Sequence, residues 1–223
     1  MAGERSVVPQ RSVALGGTAG NERLTAATGV VLLLPLAVIG VTLLHLRGLL
    51  SVHLFVGMLL IPPVLLKLGS TGYRFVRYYA HDPVYRRKGP PAAFMRAIAP
   101  IGVLSTVVVL ASGVALLAIG PSSRGELLPV HKVAFIVWSG FFALHVLGHL
   151  AELPRALSIK RESEAMHARE TIRAAWDGLP AGRSGRLLSL SGAVVGGVVL
   201  GIVFVPQFAP WLHEQHQLLV GGR

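Results

Sequence analysis

An all-α, integral-membrane fold with five transmembrane helices is predicted by three observations. Apolar residues make up 52% of the 223-residue chain, while charged residues make up only 14%. The apolar residues gather into five runs approaching or exceeding the ~20 residues that a helix needs to cross a bilayer. The excess positive charge, +11 with histidine neutral, falls mostly beside those runs and on alternate sides, as positive-inside bias arranges it. That clustering argues against a nucleic-acid-binding surface. Cysteine is absent, which excludes disulfides, iron–sulfur clusters, thiolate zinc sites and thioether attachment of haem. A metal or haem here would need histidine, methionine or lysine.

Residues 1–23 are polar and aperiodic and read as a disordered tail. The first run, 24–46, is too long for a signal-peptide core, and no small-residue cleavage site follows it, so it reads as an anchor. Pro35 is a kink point within it. The second span, 51–69, is interrupted by Pro62–Pro63, and the basic-aromatic stretch YRFVRYYAHDPVYRRKGPP follows. Tyrosine and arginine in that mixture suit a membrane interface. The third span covers 97–119 and the fourth 131–151. A charged segment, 155–185, reads as a helical surface segment as far as Asp177. The fifth span, 187–205, carries Gly192/Gly196 and Gly197/Gly201, small-xxx-small spacings that let helix backbones approach closely. The tail, 206–223, holds His213 and His216 and reads as an interfacial amphipathic segment.

Five spans put the termini on opposite sides. The N-terminal tail and the segments after spans two and four hold most of the arginines, whereas Arg47, Arg124 and Lys132 belong to the other side. The N-terminus is therefore expected in the cytoplasm and the C-terminus outside.

Ionisable side chains within a span mark cofactor, ion or proton sites by default. The fourth run, HKVAFIVWSGFFALHVLGHLAE, carries His131, His145 and His149 on one helical stripe with Trp138 and Phe142. At 1.5 Å per residue His131 and His145 stand roughly 21 Å apart, one near each membrane face. Two histidines can hold haem b from facing helices at matching depth. His53, at the start of span two, matches His131. Gly57 lies one turn on and leaves room for a flat macrocycle, and Gly102 and Gly113 could serve similarly. Arg47 or Lys132 could meet the propionates. His45 is the substitute ligand. The competing reading is that these histidines simply cap span ends. The inner pair, His145 and His149, projects from one helix face and cannot sandwich a haem. The residue fourteen beyond His53 is Lys67 and not a histidine. One haem is expected, with His145 the attachment point of any second.

The stretches SVHLFVGMLLIPPVLLKLGSTGYRFVRYY and LPVHKVAFIVWSGFFALHVLGHL resemble the bacterial membrane cytochrome b group. That group includes cytochrome b561-like proteins and the haem-bearing membrane subunits of hydrogenases and formate dehydrogenases. The resemblance covers about half of the chain, spans two to four. It implies a four-helix haem-binding bundle core in a bacterial plasma membrane, passing electrons between quinone and a redox partner. It implies His53 and His131 as axial ligands of the haem iron, with His145 beside them, and an electron-transfer subunit more than a stand-alone enzyme. An oxidoreductase partner is expected on the extracytoplasmic side, nearest the outer haem. Lys67 departs from a two-haem pattern. Two other readings stand beside it: a haem-free scaffold or assembly protein, and a metal- or proton-handling membrane protein. Against transport, no carboxylate lies in the spans before Glu152, and no inverted repeat is evident.

Overall fold

A computed structural model of the chain describes residues 17–87, 89, 93–147 and 182–220. Among these residues the structure is helical, with no strand. Helix α1 is Gly17–Leu44, α2 Leu46–Tyr79, α3 Pro83–Arg87 and α4 Ala93–Ile119. A 3₁₀ turn at Pro121–Ser123 leads into α5, described over Leu127–Leu147. The last two helices are α6, Arg183–Val203, and α7, Val205–Val220. Five of them, α1, α2, α4, α5 and α6, are long and apolar enough to cross a membrane. All five carry large hydrophobic side chains on their exposed faces, among them Leu34, Leu65, Leu104, Ile136 and Leu188. Water would penalise such a surface and lipid does not, so this is a multi-pass membrane bundle.

Three expected boundaries move. Helix α1 begins seven residues inside the stretch expected to be a disordered tail, because Asn21 and Leu24 are buried against the bundle. Helix α2 runs unbroken past Pro62–Pro63 and through the basic-aromatic stretch to Tyr79. Its one non-helical residue is Leu49 (φ −121°, ψ 20°), a turn before His53. Neighbouring helices resupply what a proline removes from a packed span; Pro63 is fully buried and Pro62 lies beside Gly196. The C-terminal tail, expected as an interfacial amphipathic segment, is a helix with Phe208 buried against the bundle. The charged segment predicted over 155–185 lies outside the described residues as far as 181, and its end belongs to α6.

Helix α2 is the hub, packed against α1, α4, α6 and α7. Its contact with α1 is an antiparallel seam built on Leu32, Ile39, Val56 and Leu60. The seam's N-terminal (α1) end is polar. Asn21 Nδ2 donates to the Ser70 carbonyl (2.9 Å), Thr25 Oγ1 contacts Ser70 Oγ (2.8 Å), and Lys67 Nζ donates to the Thr25 carbonyl (2.6 Å). Helix α6 meets α2 through its glycines. A methyl on Gly197 would strike the Leu59 carbonyl oxygen, and one on Gly201 would come within 2.8 Å of the Phe55 ring. The small-residue spacing in span five therefore serves close helix approach, through Gly197 and Gly201, whereas Gly192 meets open space.

Helix α7 turns back after Phe204 and buries Phe208 against Met58 and Leu117. Glu214 of α7 pairs with Arg124 in the α4–α5 turn, and Gln215 donates to the Arg47 carbonyl in the α1–α2 turn. The tail thus ties together the two turns at the end of the bundle that carries His45, His53 and His131.

Candidate functional site

Four helices bring one polar side chain each to that end. His53 stands two turns into α2, and Thr42, near the end of α1, lies opposite it across the first helical hairpin. His131 stands one turn into α5, and Ser112, on the last part of α4, lies opposite it across the second. Each imidazole has its Nδ1 3.0 Å from the hydroxyl oxygen of its partner. Both hydroxyls are interior, Thr42 completely.

The hydroxyls are already committed as donors. Thr42 Oγ1 donates to the Ile39 carbonyl at 2.7 Å, and Ser112 Oγ to the Val108 carbonyl at 2.6 Å. A hydroxyl has one proton, so toward the imidazole each oxygen is an acceptor. The network therefore assigns a proton on each ring to Nδ1, which donates; in the neutral tautomer Nε2 then carries the lone pair. A histidine whose Nδ1–H is anchored to an oxygen and whose Nε2 is unprotonated is arranged as a metal-ligating histidine is.

Space at the site is set by two glycines. A Cβ on Gly113 would lie 3.2 Å from Cε1 of His131, so that glycine makes room for the imidazole itself and not for a macrocycle. Gly57, one turn beyond His53, has nothing within 4 Å of a Cβ position, and neither has Gly102. Beyond them, α7 contributes Trp211, whose Nε1 is buried with no protein partner among the described residues. It packs against the buried cluster of Met58, Leu117 and Phe208, as do Leu54, next to His53, and Val114, next to Gly113. A buried indole N–H without an acceptor costs about 1–3 kcal/mol.

The remaining candidates are spread out. Arg47 is exposed, with its carbonyl bound by Gln215. Lys132 lines an open depression of about 690 Å³ with Arg124 and Glu214. His45 is exposed in the α1–α2 turn, and His213 and His216 are exposed on α7. His145 is exposed on α5, while His149 and His167 lie outside the described residues. Lys67 is held at the Thr25 carbonyl of α1, with its ammonium filling the space beside Gly29. That contact fastens it to the α1–α2 seam.

Reading the sequence for histidines and glycines missed Thr42, Ser112 and Trp211. The hydroxyls had a partial signal, a polar residue at the depth of the facing histidine, though Thr25 and Thr28 share the first run and Ser105 and Thr106 the third. Trp211 had none, because its burial follows from the fold-back of α7.

Among the described residues no group of three His, Cys, Asp or Glu side chains could hold a metal ion. No family model matches the chain, nor does any curated protein or solved structure.

Proposed function

We propose that the chain is a membrane b-type cytochrome subunit that carries electrons between the quinone pool and a redox partner. The observation that carries this reading is the matched pair of hairpins, each supplying a histidine oriented through Nδ1 by an interior hydroxyl. His53 and His131 would hold the iron, and Thr42 and Ser112 would fix the planes of their rings. Haem b, when bound, supplies a one-electron couple whose potential follows from axial ligation, hydrogen bonding to the ligands and burial. The chain's own part is to hold two neutral imidazoles, exclude water with the apolar faces of α2 and α4, and offer Trp211 as a donor at the edge. A bacterial plasma membrane and an extracytoplasmic partner oxidoreductase belong to the same proposal, by resemblance and by the distribution of arginine.

An optical difference spectrum of the purified full-length protein, dithionite-reduced minus oxidised, tests it. A haem b α-band is expected, and His53→Ala or His131→Ala should abolish it while His213→Ala leaves it intact. No band, or a band unchanged in both core variants, sinks the reading. The hydroxyl bonds also favour a second reading, a haem-free scaffold whose histidines only tie the hairpins together. It predicts a colourless protein with the same helix content.

A further inference from the structure

Helix α7 closes the end of the bundle that holds His53 and His131, and few contacts fasten it there. Its start is a one-residue joint. Phe204 ends α6 (φ −90°, ψ −2°), and α7 begins at Val205. Gln207 N donates back to the Phe204 carbonyl, while Pro206, before it, has no N–H to give. Of the described side chains of α7 only Phe208 is buried, in one cluster with Met58 of α2 and Leu117 of α4. The far half is held by two polar ties, one to each hairpin: Glu214 pairs with Arg124 in the α4–α5 turn, and Gln215 donates to the Arg47 carbonyl in the α1–α2 turn. The ion pair is 40% and 30% exposed on its two sides, so it is weak and open to screening by salt.

What α7 covers is the seam between the hairpins. Helix α2 packs along α1 and α6 but touches α4 only lightly. At the histidine end the cluster under α7 bridges the two, with Leu54, the residue after His53, and Val114, the residue after Gly113, packed against it. The closed position carries opposing terms. Release would expose Phe208, which disfavours it, and would give water to the buried Trp211 Nε1, which has no acceptor among the described residues. Elements balanced in this way belong to the low-stability end of a fold, from which moving parts are drawn.

We infer that α7 is a releasable strap. Its two polar ties keep the α2–α4 seam shut at the histidine end, and its release opens that seam to water at that face of the membrane. The strap does not depend on what the histidines hold and would stand if the haem reading failed.

Thiol labelling of the full-length protein in detergent tests it, because the chain has no cysteine and a single introduced one reports its own site. Met58 is 4% exposed, so Met58→Cys should react slowly with a water-soluble maleimide. Adding E214Q removes the ion pair and should raise the rate about two- to fivefold. R124E/E214R, which rebuilds the pair in reverse, should bring the rate back toward the parent's. Added salt should raise the rate while Glu214 is present and leave it unchanged with E214Q. Val84→Cys, exposed on α3 at the other end, should react at one rate throughout, and circular dichroism should give the same helix content in every variant. Equal Met58→Cys rates with and without E214Q overturn the proposal. So does a rise at Val84→Cys that matches the rise at Met58→Cys, because the whole fold would then be loosening.

Discussion

The side chains that orient the candidate ligands are a threonine and a serine, residues that an apolar helix tolerates because each can return its proton to its own backbone. That habit is what turns their oxygens into acceptors for His53 and His131. Thr42→Val and Ser112→Ala each remove an acceptor and strand a buried imidazole N–H, at a cost of about 1–3 kcal/mol. In the cytochrome reading, each should also weaken haem retention about 10- to 100-fold and shift the midpoint potential. A redox titration followed optically measures the shift; potentials and thermal midpoints identical to the parent's would show that the hydroxyls do not hold the rings. Outside the spans, Tyr85 makes a smaller point. Arg77 lies over the rings of both Tyr73 and Tyr85 and pairs with Asp82. Burial, and then Tyr73, push the Tyr85 phenol above its usual 10.0, with Arg77 opposing. A raised folded-state value means that the protonated phenol is favoured in the fold. Its contribution is complete below pH 10.0 and is lost as pH rises through the higher folded value. Tyrosinate absorbance should therefore develop late for one phenol, and Tyr85→Phe should remove that late phase.

Among the elements, α2 and α6 depend most on the absence of side chains. Helices in lipid gain little from burying apolar surface against each other and must gain it from close packing. Gly197 puts backbone against the Leu59 carbonyl, which cannot swing aside as a side chain can, and Gly201 accepts the Phe55 ring. Gly197→Ala should cost about 1–3 kcal/mol, in the range of overpacked core sites. Gly192→Ala, with open space around it, should stay within about ±0.5 kcal/mol. Thermal melts in detergent compare the two, and equal effects would mean that α6 does not rest on α2 through this seam. The spacing of these glycines was legible in the sequence. Which of the two small-residue pairs is buried was not, since four glycines within ten positions cover more than one face of a helix. Likewise, Pro62–Pro63 read as an interruption because local propensity counts a missing N–H. Packing in α2 overrides it.

For the molecule as a whole, five crossings and uneven arginine set a direction. Arg23, Arg74, Arg77, Arg86, Arg87, Arg183 and Arg186 gather at one end of the bundle, and Arg47, Arg124 and Lys132 at the other. Reporter fusions should therefore find the N-terminus in the cytoplasm and the C-terminus outside. A cytoplasmic C-terminus would contradict the five-span count. At the histidine end, the ties of α7 to Arg124 and to the Arg47 carbonyl would hold Trp211 in place.

Sequence alone determined the membrane class and the five helices long and apolar enough to cross. Hydropathy and helix rise are properties of a single segment and need no partner to be read. It also offered His53 and His131 as a pair at matching depth on different spans, with His45 as the substitute ligand. Tertiary structure alone decided what each histidine bonds to, that Gly113 serves the His131 ring, that Lys67 is fastened to α1, and that the tail is a packed helix. Those outcomes depend on helix rotation and on contacts between residues as much as 168 positions apart, as between Arg47 and Gln215. Periodicity along one chain segment carries no record of which neighbour its faces will meet.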